Sequence, residues 1–257
     1  MEKPFLSFLN VSYAYHNLKG ETQAVQDLSF HIHEGEFVAI VGPSGCGKST
    51  ILSLVSGIFQ PEEGEIRFAD DKNKRPMIGY MLQRDHLFPW RTIWSNCMLG
   101  LEIQQDKTPE KMAYAEYLLK EYNLWDVRNK KPDELSGGMR QRAALIGTLV
   151  MNPDLFLLVE PFSALDFQTR IEVSGDIASI IRESGKTIIL ITHDLQEAIS
   201  LSDRVIVLSG RPAHVIRDIP IELTGGGKDV LSARNAPEFN EYFNMLWEDL
   251  KDKEDAL

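Results

Sequence analysis

Gly42-Pro43-Ser44-Gly45-Cys46-Gly47-Lys48-Ser49-Thr50 is the stretch whose reading decides the fold. Gly42, Gly47, Lys48 and Ser49 stand at the fixed positions of the phosphate-binding pattern G-x-x-x-x-G-K-[ST]. The apolar run 37–41 before it has the length and β-branched content of a buried parallel strand. Residues 51–56 after it carry apolar side chains at helical spacing. Strand, glycine loop and helix in that order aim a helix N-terminus and several free N–H groups at one anion. Lys48 is then placed to reach the β- and γ-phosphates of a nucleotide, and the Ser49 hydroxyl to face Mg²⁺. Cys46 reads as a small loop residue. Its place near Lys48 and a helix start also makes it a candidate reactive thiol that a bound nucleotide would shield.

Working outward, the 257 residues are 43% hydrophobic and 25% charged, a globular composition with room for one large domain. No apolar run approaches the ~20 residues that span a bilayer, and the N-terminus lacks a signal-peptide layout. Two cysteines, Cys46 and Cys97, make no disulfide framework, which points to a reducing cytosol. A net charge of −11 argues against nucleic acid as a partner. It also means that any membrane association comes through a protein.

Upstream of the loop, residues 6–15 and 24–33 read as strands, with residues 16–22 as the turn between them. Downstream, short strands are expected at 65–68 and 77–82, the latter presenting Gln83, followed by the aromatic loop 85–90. From 92 to 128 the pattern is helical, with Thr108-Pro109-Glu110 as a good helix start. A helix over 139–150 precedes the apolar strand 154–159. A helix over 168–183, a strand at 187–191, a helix at 195–201, a strand at 204–208 and an amphipathic helix at 237–251 with an acidic tail follow. Strands alternating with helices give an α/β fold with a mainly parallel sheet.

Leu135-Ser136-Gly137-Gly138-Met139-Arg140-Gln141-Arg142 adds a second glycine-bearing helix start, with Ser136 as its cap. Together with the phosphate loop it resembles the signature motif of ABC-type ATPases, and the resemblance covers nearly the whole chain in the family's order. Gln83 matches the Q-loop glutamine, and Glu160 ends the apolar strand. Ser163-Ala164-Leu165-Asp166 matches the D-loop and His193 the switch histidine. Leu87-Phe88-Pro89-Trp90-Arg91-Thr92 and residues 139–142 look most like the importer subgroup for nitrate, sulfonate and taurine.

The resemblance implies a P-loop ABC-type ATPase core with an N-terminal antiparallel β-layer and an inserted α-helical subdomain. As boundaries we expect a core at about 1–86 and 154–220, a helical subdomain at about 87–153 and a C-terminal helical extension at about 221–257. The implied cofactors are ATP and Mg²⁺. Residues 42–50, Gln83, Ser136, Gly137, Gly138, Met139 and Asp166 would bind the nucleotide, with Ser49 and Gln83 toward the metal. Glu160 would be the base that activates water, a role suited to a carboxylate at a strand end. His193 would hydrogen-bond the γ-phosphate or the attacking water, and Lys48 would contact the γ-phosphate. Tyr15 offers an aromatic face to adenine, with Tyr13 the alternative, and a strand tyrosine packed on the core is the other reading. The implied partners are integral-membrane permease subunits, a solute-binding protein outside the membrane and a second ABC subunit. Residues 136–139 of one copy would close on the ATP of the other, at the cytoplasmic face of the membrane.

Two positions depart from the family pattern. Val159 stands where the family has aspartate before the glutamate. Valine supplies no oxygen to a hard ion that demands oxygen ligands, so slow hydrolysis is expected. Gly147 stands where the signature helix often carries arginine, at a cost of about 1 kcal/mol in helix propensity relative to alanine.

Overall fold

The computed structural model describes residues 4–18, 20–69, 75–163, 165–224 and 230–251. Ala164 of the D-loop stretch, residues 70–74 of the charged loop, the first three residues and the acidic tail after 251 lie outside the described residues. In chain order the first segment contains β1 (Leu6–Asn17), β2 (Gly20–Ile32), β3 (Phe37–Val41), α1 (Lys48–Ser56) and β4 (Glu63–Phe68). The middle contains β5 (Ile78–Met81), α2 (Ile93–Cys97), α3 (Leu99–Ile103), α4 (Pro109–Glu121), α5 (Gly137–Leu149), β6 (Leu155–Val159) and α6 (Phe167–Glu183). The last segment contains β7 (Thr187–Ile191), α7 (Leu195–Leu201), β8 (Arg204–Leu208), β9 (Val215–Pro220), α8 (Val230–Arg234) and α9 (Phe239–Lys251).

Two compact units are formed, one from Met1–Pro76 with Ser184–Leu257 and one from Met77–Glu183. In the first, β2, β1 and β4 make an antiparallel layer in that order. The turn expected at 16–22 is much tighter, because Asn17 already pairs with Gly20. Phe8 and Phe30 stack across this layer with centroids 4.5 Å apart, which pins the register. Just beyond, the register shifts, and Asn10 (φ 50°) and Asp27 (φ 48°) take left-handed backbone and join side chains at 2.6 Å. The same unit carries β3 parallel to β7 on one side and to β8 on the other. Every residue of β3 is buried, as its unbroken apolar sequence requires of a strand covered on both faces. β9, which the sequence reading missed, runs antiparallel to β8. The β-branched pair Val215-Ile216, with Ile219 beyond it, was the available signal.

α9 is tied to this unit at both ends. Arg217 on β9 holds Asp249 in a two-pronged ion pair, and the Tyr242 hydroxyl accepts from the Glu222 amide at 3.2 Å. Phe239 and Leu246 are the residues α9 buries.

In the second unit, β5 and β6 pair in parallel and the helices pack around α5. The helical segment 87–153 lies inside this unit, which also takes in β5, β6 and α6. Helical character over 92–128 breaks at Met98 into α2 and α3. Thr92 and Thr108 cap α2 and α4 by accepting from the amides of Ser95 and Lys111. Gly147 turns out to be a contact residue. A Cβ there would lie 3.3 Å from the Cα of Cys97, so glycine lets α2 and α5 meet backbone to backbone. That approach gives the glycine a packing role beside its propensity cost.

Candidate nucleotide site

The buried strand β3 delivers Gly42 and Pro43 at its carboxyl end, and the chain turns through 44–47 into α1. Gly47 is the N-cap of α1 with φ 126°, and a Cβ there would lie 2.7 Å from the Ala24 carbonyl oxygen. Only glycine meets both demands. Ser44, Gly45 and Ser49 are exposed, Lys48 is half-buried and Thr50 is buried. The Lys48 ammonium donates to the carbonyls of Gly42 (2.6 Å) and Pro43 (2.8 Å), which fixes it across the mouth of its own loop. Cys46 packs inward at 1% exposure with its Sγ 3.9 Å from Lys48 Nζ. The expectation of a reactive Cys46 thiol is therefore corrected, because packing rather than nucleotide shields it.

Tyr15, 36% exposed, donates or accepts with the Thr50 hydroxyl at 3.0 Å, and its ring meets those of Tyr13 and Phe59 edge-on. Tyr13 instead lies flat on Phe59 at 5.0 Å. That leaves Tyr15 as the more available of the two. His193 is exposed just past β7. Beside it, Thr192 donates to the buried Glu197 at 2.8 Å and accepts from the Asp194 amide at 3.0 Å. The Asp194 carboxylate caps α7 through the amides of Gln196 and Glu197. Glu197 is thus a support of the switch segment that sequence reasoning missed; a glutamate one helical turn past the histidine was its only trace.

The second unit presents Gln83, Glu160 and the signature residues. Gln83 is exposed one residue past Leu82, at the end of β5. Glu160 follows β6 with φ 45°, a left-handed conformation that a glutamate adopts at a cost. Its carbonyl accepts from both the amide and the hydroxyl of Ser163, which closes a turn right after the strand. Val159 is the half-buried last residue of β6. Ser136 caps α5 by accepting from the Met139 amide at 3.4 Å. Gly138 is buried against α6, where a Cβ would lie 2.8 Å from Val173. Ser136 is exposed, with Gly137 and Met139 half-buried. Asp166 accepts from the Thr169 amide at 3.1 Å, and hydrogen bonds from the Thr169 side chain first and from that amide second hold its carboxyl below the usual carboxylate range.

The aromatic loop after Gln83 is anchored by a residue the sequence reading passed over. Asn96, buried in α2, accepts from the Phe88 amide at 2.8 Å and donates to the carbonyls of Phe88, Arg91 and Thr92. This clamp leaves Trp90 70% exposed, with Phe88 against it at 4.9 Å. Alongside runs a groove of about 380 Å³ lined by Leu82, Leu87, Leu99, Ile103, Ala144 and Met151.

The chemistry of the first unit fits a polyphosphate. Backbone N–H groups open a helix, a glycine stands where any Cβ would collide, and one ammonium is stationed on the loop. Toward a hard ion such as Mg²⁺ the first unit offers the exposed Ser49 hydroxyl; in the second unit Gln83 carries an exposed amide oxygen, and the Val159 side chain carries no oxygen.

A glycine loop joining a buried parallel strand to a helix, in a chain with a second capped glycine helix start, defines a phosphate-loop nucleotide-binding cassette. The sequence profile of the ABC transporter family matches residues 25–163. An uncharacterised ABC transporter ATP-binding protein, YtlC of Bacillus subtilis, is 44% identical over 254 residues, 97% of each chain. The taurine import ATP-binding protein TauB of Roseobacter denitrificans is 36% identical, over 98% of both chains. Among solved structures, the ATP-binding cassette MJ0796 in a dimeric post-hydrolysis state with ADP and Pi superposes with a TM-score of 0.69. It is 31% identical, and the match covers 84% of this chain and 99% of that one. The chain belongs to the ABC transporter family as an ATP-binding subunit.

Proposed function

We propose that this chain drives an importer of small anionic solutes of the sulfonate, taurine or nitrate kind. The observation that carries the import reading is the exposed Phe88–Trp90 loop, clamped by Asn96 beside an apolar groove. That is a surface built to be covered by a permease at the cytoplasmic face of the membrane. Relatives named for taurine import support it. The assembly would hold two ATP-binding subunits, permease subunits and a solute-binding protein outside the membrane.

In this reading the amides of residues 44–49 and the Lys48 ammonium hold the phosphates, and Tyr15 takes the base. Ser136, Gly137, Gly138 and Met139 serve the ATP of the second copy, with Asp166 beside that junction. Glu160 accepts the proton of the attacking water and His193 orients the γ-phosphate. Mg²⁺, when bound through Ser49 and Gln83, neutralises phosphate charge. Phosphoryl transfer rests almost wholly on such positioning and charge.

Val159 favours a second reading, in which the subunit binds ATP and turns it over slowly as a regulatory partner. Steady-state ATPase of the reconstituted transporter separates the two. The Val159→Asp variant should hydrolyse ATP about tenfold faster or more, with ATP affinity little changed. Equal turnover in both forms would discard the argument from the metal. Taurine, nitrate and an alkanesulfonate offered in turn to proteoliposomes with the solute-binding protein identify the cargo. Uptake of none of them would refute the anion assignment.

A further inference from the structure

Sequence motifs and family roles leave Gln141 without a function, yet its surroundings are unusual. It sits in the first turns of α5 at 3% exposure, a buried polar side chain. Its Nε2 donates to the backbone carbonyl of Gln83 at 3.3 Å. Its Oε1 is buried with no hydrogen-bond partner among the described residues. A buried amide with an unmet acceptor costs stability, so an apolar residue would serve packing better. One residue earlier, Arg140 Nε pairs with Asp85 Oδ2 at 2.9 Å while Nη1 donates to the Leu135 carbonyl at 2.7 Å. Asp85 uses its other oxygen to accept from the Leu87 amide at 3.2 Å. Neighbouring side chains at the start of α5 thus grip the chain at 83 and at 85, and Arg140 also holds the residue before the Ser136 cap.

We propose that Gln141 and the Arg140–Asp85 pair form a two-point latch that makes residues 83–87 and the signature end of α5 one rigid piece. Gln141 is then a positioning residue for Gln83, acting through the main chain and not by touching nucleotide. The proposal rests on the ATP reading above. A displacement of Gln83 on nucleotide binding is passed to the signature start, and to the aromatic loop that follows, without slack.

The test compares the full chain with Gln141→Leu, which keeps the volume and loses the donor, with Asp85→Ala at a more exposed position, and with the double variant. Hydrogen exchange of the 83–87 amides without nucleotide should quicken about fivefold in each single variant. In the double variant it should quicken by more than the product of the two. At saturating ATP with the permease present, kcat should fall about three- to tenfold while KM for ATP moves less than twofold. Unchanged exchange at 83–87, multiplicative behaviour of the double variant, or a loss confined to KM would each overturn the latch. Binding of a fluorescent ATP analogue is measured alongside. Its failure in the unaltered chain would sink the ATP reading, whereas exchange in the nucleotide-free chain still tests the latch.

Discussion

Gly47 shows how tightly one residue can be specified. A φ of 126° excludes side chains on conformational grounds, and the Ala24 carbonyl 2.7 Å from the missing Cβ excludes them on steric grounds. Gly47→Ala should destabilise the protein by about 2–4 kcal/mol. Thermal melting would show it, together with loss of fluorescent-ATP binding. A variant melting within a degree of the parent would show that the loop relaxes freely. At Glu160 the logic differs: a non-glycine residue holds φ 45° at the end of β6, so its carboxylate is presented from a backbone that the Ser163 contacts must sustain. The sequence named both residues by their motifs. It held no trace of the torsions that make one of them obligatory and the other costly.

Among the elements, the crossing of α2 on α5 was the least legible. From the sequence, Gly147 is a flaw in a helix. In the fold it admits the Cys97 backbone, and Cys97 Sγ donates to the Ala143 carbonyl at 3.4 Å from full burial. Burial pushes the Cys97 thiol up to about 12 from 9.0. Its folded pKa is raised, so the stability this thiol contributes is fully present below about pH 9 and is lost as pH rises through about 12. Urea titrations from pH 8 to pH 11 should show stability falling with pH, with a smaller fall in Cys97→Ala. Parallel curves would mean that the thiol is not the titrating group. By contrast, the start of α4 at Thr108-Pro109 was readable because capping is local chemistry written in adjacent residues. A helix crossing depends on residues 50 positions apart in sequence, here Cys97 and Gly147.

At the scale of the molecule, the net charge of −11 bears on assembly. Two copies brought together repel over distances that salt screens within about 10 Å at 0.1 M. On the proposal that Glu160 is the base, Glu160→Gln blocks turnover, and ATP should then shift the chain from monomer to dimer in size-exclusion chromatography. The shift should grow between 50 mM and 300 mM NaCl. A monomer under all of these conditions would argue against closure between two copies of this chain. The sign of the salt effect separates charge repulsion from attraction through local ion pairs.

The sequence alone determined the class of fold, the glycine loop between strand and helix, and the helix starts at Ser136 and Thr108. Each depends on short-range constraints: a torsion, a cap, or the two- and 3.6-residue periods that sort side chains by face. It also exposed Val159, because an absent oxygen is a matter of residue type. Only the tertiary structure decided that Cys46 is shielded by packing and that Gly147 is a contact. It alone revealed Asn96 as the clamp of the aromatic loop and Gln141 as a grip on the main chain at Gln83. Those roles are set by which distant segments meet, and burial assigns them a cost or a purpose that no local pattern carries.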